Sequence, residues 1–177
     1  PVLNRYTRSF SSSGSSMTLS NFVVGNISNR VLYVLAFSQS TITKPTGCTF
    51  GGVAMTEIRG GDVTIGGGGG SYALYRLVNP SASTANIVAT WGSSHGNIGV
   101  YALLWSGVDQ TNPDDDDTLV NDSAGTATVT LDPTIDCQIR LGFVLSANVT
   151  HTAAAGQTVI ADVEESRYTE SASYIGS

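Results

Sequence analysis

The chain has 177 residues, a net charge of −6, 41% hydrophobic residues and only 12% charged ones. That length suffices for one domain with a real core, and Ser and Thr, about a quarter of the chain, make its polar surface mostly hydroxyls, a composition favouring strands and turns over helices. The single lysine, Lys44, leaves no basic patch for phosphates, which excludes a nucleic-acid partner, and no run nears the ~20 apolar residues of a membrane helix.

Residues 1–16 read as an N-terminal arm, in which Arg5, Tyr6, Arg8 and Phe10 alternate with smaller polar residues before SSSGSS, a Ser/Gly linker that is flexible by composition. The start PVLNRYTRSF lacks the charged region, apolar run and cleavage site of a secretory signal. That suits a chain made in the cytoplasm and equally a mature secreted one. Met17 to Val24 reads as the first strand. RVLYVLAFS, from Arg30 to Ser38, is β-branched and almost continuously apolar, the pattern of a central strand buried on both faces.

In CTFGGVAMTEI, Gly51 and Gly52 separate two apolar runs at the spacing of a two-residue hairpin turn, which needs positive φ. The glycines Gly66 to Gly70 read as a mobile loop. SYALYRLVN, TANIVATW and NIGVYALLWSG read as three strands, divided by Asn79-Pro80-Ser81 and Gly92-Ser93-Ser94. Beyond Gly107 a long polar connection carries Asp114 to Asp117, a solvated acidic loop that could hold Ca²⁺ only by folding back. TATVTL, DCQIRLGFVLS and two weaker strands between Gln157 and Ser177 bring the count to about ten.

Turn signals every 8–12 residues make the expected fold an all-β antiparallel β-sandwich, jelly-roll-like, with residues 17–177 as one domain after the arm. Alternation nominates Leu32, Val34, Leu74, Val88, Tyr101, Leu103, Trp105, Leu141 and Phe143 for the core, with Trp91 and Trp105 as packing anchors.

Residues for chemistry are sparse. His95 and His151 sit in polar, turn-like contexts without zinc spacing, no GxSxG elbow marks a nucleophile, and nothing completes a phosphate loop after the glycines. Glu57, Glu164, Glu165 and Glu170 are the only glutamates that could pair for glycoside hydrolysis. The sequons at Asn26, Asn121 and Asn148 arise by chance in so hydroxyl-rich a chain. Cys48 and Cys137, both in apolar strand contexts, read as buried free thiols rather than a disulfide. No catalytic residue, metal site or cofactor is assigned, and the expectation is a protein that is not an enzyme.

Taken in order, TFGGVAMTEI, YALYRLVNP, ANIVATW and SGVDQTNP resemble a recurrent β-sandwich module of phage virion proteins and large bacterial surface proteins. The shared features are the Gly51-Gly52 hairpin, Asn79-Pro80, Trp91 and the turn from Ser106 to Thr111, over about residues 30–112. The resemblance implies a structural or binding domain with no catalytic residues. Such modules close with another apolar strand where this chain reads YTESASYIGS, so that strand is either missing or covered by a neighbouring subunit. The expected role is a capsid decoration (cement) protein of a tailed bacteriophage, made in the host cytoplasm and placed on the virion's capsid surface. Its partners would be the major capsid protein and copies of itself, with Arg5, Tyr6, Arg8 and Phe10 as the interaction arm. The alternative is a carbohydrate-binding module or fibre-tip receptor-binding domain using Trp91, Tyr72 and the Asp114 loop.

Overall fold

β-Branched, aromatic and hydroxyl side chains suit a pleated backbone, and every regular element among the described residues is a strand. The computed structural model describes residues 1–39, 42–65, 68–114, 139–146, 158–165 and 168–176. They divide into two compact units, one built from 2–64 and 68–115 and the other mainly from 116–177.

The first unit is one antiparallel sheet of seven strands: β1 (Val2–Val24), β2 (Val31–Ser38), β3 (Gly47–Phe50), β4 (Val53–Ala54), β5 (Thr56–Ile65), β6 (Gly68–Val78) and β7 (Ser83–Ser106). The order is β4-β3-β7-β2-β6-β5, and β1 lies along the other edge of β7. In the second unit β8 (Ile139–Ser146), β9 (Thr158–Glu165) and β10 (Tyr168–Gly176) form an antiparallel sheet of order β8-β10-β9.

A long two-stranded ribbon organises the first unit. β1 pairs with β7 from Val2↔Ser106 to Val24↔Ser83. On the opposite edge of β7, β3 takes residues 87–90 and β2 takes residues 98–105. Midway, pairing jumps from Gly14↔His95 to Ser16↔Thr90, so Ser15 alone stands against Trp91 to Ser94. Such a bulge bends a ribbon. The bend is large, because the Arg5 guanidinium carbon lies 5.7 Å from the Phe22 ring centroid, whereas a straight strand would separate these residues by about 55 Å. The sheet curls nearly into a barrel.

Inside the curl, Met17, Leu19, Phe22 and Val24 of β1 meet Leu32, Val34 and Ala36 of β2 and Ile98, Val100, Ala102 and Leu104 of β7. Cys48, Phe50, Tyr75, Ile87, Ala89 and Trp91 complete this core. Removing each large apolar side chain from water stabilises the fold by about 1.5–3 kcal/mol. The other face of β2 and β7 is buried too: Val31, Leu35, Phe37, Tyr101, Leu103 and Trp105 are all inaccessible. β2 is therefore covered on both faces, as its unbroken apolarity requires.

Several sequence expectations need correction. The arm and the SSSGSS linker are not separate from the first strand, since residues 2–16 form the first part of β1. A Ser/Gly run is flexible only while its backbone lacks partners, and β7 supplies them from more than 70 residues away. Gly92-Ser93-Ser94 is the bulge inside β7 rather than a turn between two strands. Gly68 to Gly70 open β6 instead of forming a loop, while Gly66 and Gly67 lie outside the described residues. Leu74 and Val88 are only half-buried, because the core-facing phase is Ala73/Tyr75 and Ile87/Ala89.

The Gly51-Gly52 hairpin forms as expected, with φ of 58° and 81° and Phe50 paired to Val53. Asn79, with φ of 47°, makes the turn after β6. Leu141 and Phe143 lie on β8, with side chains outside the described residues.

Candidate interaction surface

The four residues expected to act as an arm do not share a face. Register sets Tyr6, Arg8 and Phe10 opposite Leu103, Tyr101 and Gly99, on the face away from the core, and Arg5 opposite the core residue Leu104. The period of two explains the split. Arg5 is exposed and its guanidinium lies over Phe22, a cation–π contact typically worth about 0.5–1 kcal/mol.

An aromatic row crosses three strands on the second face. Tyr6 stacks on Tyr101 with centroids 5.9 Å apart and planes at 22°, and Tyr101 stacks on Phe37 at 5.9 Å and 27°. Gly99, paired with both Phe10 and Phe37, leaves room for the Phe37 ring to lie over bare backbone. Tyr6 is thus built into the sheet rather than presented on a tail.

Farther along this face the polar connection is tied down. Tyr33 Oη donates to Asp114 Oδ1 at 2.7 Å, and Arg76 pairs with Asp114 Oδ2. Burial, and then the Asp114 carboxylate, push the Tyr33 phenol above its ordinary value. Asp114 is therefore a bonded anchor of this connection; Asp115 to Asp117 lie outside the described residues. The segment from Ser106 to Thr111 is a turn of the expected kind. Gly107 has φ of 68°, and Asp109 accepts from the backbone N–H of Thr111 at 2.7 Å and Asn112 at 3.2 Å, which holds its carboxyl below the usual range.

The residues weighed for sugar binding are not brought together. Trp91 is 4% exposed inside the core, whereas Tyr72 and Asp114 associate with the opposite face of β2 and β6. His95 is buried at the ribbon bend, with its Nε2 3.2 Å from Ser93 Oγ and its ring 6.4 Å from that of Trp91, and not in an exposed polar turn. His151 and Cys137 lie outside the described residues. Glu57 is paired with Lys44, and Glu164, Glu165 and Glu170 belong to β9 and β10 of the other unit.

One shallow cleft of about 340 Å³ opens beside β3, a feature sequence reading missed. Thr46, Thr49, Thr90 and Glu57 line it together with Cys48 and Tyr75. The segment leading to Thr46 is held by Ser71 Oγ donating to Thr43 O at 2.8 Å and Tyr75 Oη donating to Pro45 O at 3.1 Å.

Cys48 is a buried free thiol, which burial pushes from its ordinary 9.0 up to about 12. Burial likewise raises the Tyr75 phenol, with the Glu57 charge adding to it. Raised acids keep their protons in the fold and lose them in the unfolded chain, so their contribution is complete below pH 9 and is lost as pH rises towards 12. The denaturation midpoint is expected to fall steadily across that window and less steeply in Cys48→Ala. A flat profile in the wild type would contradict the burial of these groups.

No protein-family model, curated protein or solved structure matches this chain.

Proposed function

We propose that this chain is a structural virion protein, a decoration or cement protein that stabilises the head of a tailed bacteriophage from the capsid surface. Its first unit is read as a β-sandwich of jelly-roll type, with the two halves of the bent β1–β7 ribbon in facing layers. The observation that carries this reading is that the basic and aromatic residues of the chain's start lie on a full-length strand at the sheet margin. Arg5 is exposed there and Val2 is 62% exposed. A rigid margin with charge and apolar surface docks with less loss of conformational freedom than a loose tail.

The motifs behind the family resemblance support a scaffold role, since Gly51-Gly52, Asn79 and Asp109 are all consumed in making turns. The burial of Trp91 removes the main stacking platform from the carbohydrate-binding alternative.

The test mixes the protein with undecorated capsids of its source phage and counts bound copies. Wild-type protein is expected to saturate the capsids. Arg5→Ala and Arg8→Ala are each expected to weaken attachment by about threefold, more at low salt where charge attraction is least screened. A thermal melt of each variant separates lost contact from lost fold. No binding by the wild type overturns the proposal.

A further inference from the structure

Sulfur is scarce in this chain, which has two methionines and two cysteines: Met17, Met55, Cys48 and Cys137. Strand pairing sets three of the four in one row. Met17 of β1 and Cys48 of β3 both stand opposite Ala89 of β7, one on each of its edges. Past the Thr49↔Ala54 pair the Met55 N–H donates to Cys48 O at 2.9 Å, which puts Met55 opposite Cys48. Residues opposite one another in antiparallel strands project from the same face, with Cβ atoms about 4.5–5.5 Å apart. That face is the core: Met17 is 6%, Cys48 2% and Met55 8% exposed, and all three belong to one apolar cluster.

This row has the ligands and the access that a soft metal ion requires. Ala89, between Met17 and Cys48, reaches no farther than its Cβ, so the unbranched, flexible thioether of Met17 can lean over it. The inward curl of the sheet draws core-facing side chains closer than their backbones. The cleft beside β3 reaches Cys48 and Met55 from solvent and supplies an entry path. Thiolate and thioether sulfur together select Cu(I) among the biological metals. Charge narrows the choice further. One thiolate and one monovalent cation are neutral together, whereas a divalent ion would leave a net charge in the core. The carboxylate at the cleft, Glu57, is already paired with Lys44.

We propose that Met17, Cys48 and Met55 form a binding site for one monovalent soft metal ion, Cu(I), with the Cys48 thiolate as the charged ligand and the two thioethers as neutral donors. Binding breaks the Cys48 S–H bond and forms an S–Cu bond, the proton passes to water, and no oxidation state changes. Burial pushes the free thiol up to about 12, so each ion bound releases one proton and the apparent affinity should rise about tenfold per pH unit between about pH 6 and 8. The site does not depend on head decoration, and isolated protein tests it without capsids.

The experiment is native mass spectrometry of the full chain with Cu(I) under exclusion of oxygen, with Ag(I) as an air-stable probe of the same charge and softness, and with affinities read by competition against a Cu(I) chelator. Cys137→Ala, which leaves Cys48 as the only thiol, is expected to bind one ion of either metal and no Zn(II). Adding Cys48→Ala should abolish uptake, and the same loss of one ion is expected between wild type and Cys48→Ala with Cys137 in place. Met17→Leu and Met55→Leu conserve volume, so each should melt within about 5 °C of its parent without metal, yet each should weaken Cu(I) binding by about tenfold. No bound ion, uptake that survives loss of Cys48, an affinity that either methionine substitution leaves unchanged, or equal uptake of Zn(II) would each overturn the proposal.

Discussion

Deleting residues 1–13 is expected to destabilise the domain severely. The deletion removes the partner of β7 from Gly96 to Ser106, and with it the Tyr6 stack on Tyr101 and the Phe10 cover beside Gly99. Each lost backbone hydrogen bond costs about 1 kcal/mol and each uncovered apolar side chain about 1.5–3 kcal/mol. The sum is a large share of the roughly 5–15 kcal/mol that holds an ordinary domain together. A thermal melt should show a fall of more than about 10 °C, or no cooperative transition at all. A truncated protein melting within about 5 °C of the wild type would restore the dispensable arm that composition suggested. The deletion is also a poor probe of capsid attachment, because fold and contact would be lost together.

Gly99→Val should be nearly as damaging, for a different reason. A Cβ at Gly99 would lie 2.3 Å from Phe37 Cζ and 2.7 Å from Cε1, and Phe37 has nowhere to go because it is itself buried and stacked on Tyr101. The Phe37 ring would have to leave its place, and Tyr101 and Tyr6 would follow along the row. Overpacking of this kind costs about 1–3 kcal/mol per added group, so a fall of about 5–10 °C in melting temperature is expected. Gly92→Ala is the control: its Cβ meets only Thr46 Cγ2 at 3.8 Å, an ordinary contact, and the midpoint should stay within about 2 °C. Equal melting of Gly99→Val and wild type would mean that the aromatic row does not form as described.

Much of the local structure was legible in the sequence. Strands follow from β-branched and hydroxyl composition, the burial of β2 on both faces from its unbroken apolarity, and the Gly51-Gly52 hairpin from the need for positive φ at adjacent residues. The turn after β7 could be placed from SGVDQT for the same kind of reason, since Gly107 and Asp109 act within a few residues of themselves. These are short-range matters, decided by backbone sterics and by side chains bonding their own neighbours.

What only the tertiary structure decided depends on partners distant in the chain. SSSGSS has the composition of a linker, and it is a strand because β7 offers it a ladder. Gly92-Ser93-Ser94 has the composition of a turn, and it is a bulge because β1 continues past it on the other side. The bulge at Asn4 and the period of two send Arg5 towards Phe22 while Tyr6, Arg8 and Phe10 face the other way, a division that depends on the pairing register. Leu74 and Val88 missed the core by one residue of phase. Asp114 became an anchor because register brings Tyr33 and Arg76 side by side across β2 and β6. Composition and alternation therefore determine that this chain makes strands and where its tightest turns fall. Long-range pairing, through which each strand supplies the hydrogen bonds another lacks, decides which strands join and which way their side chains point.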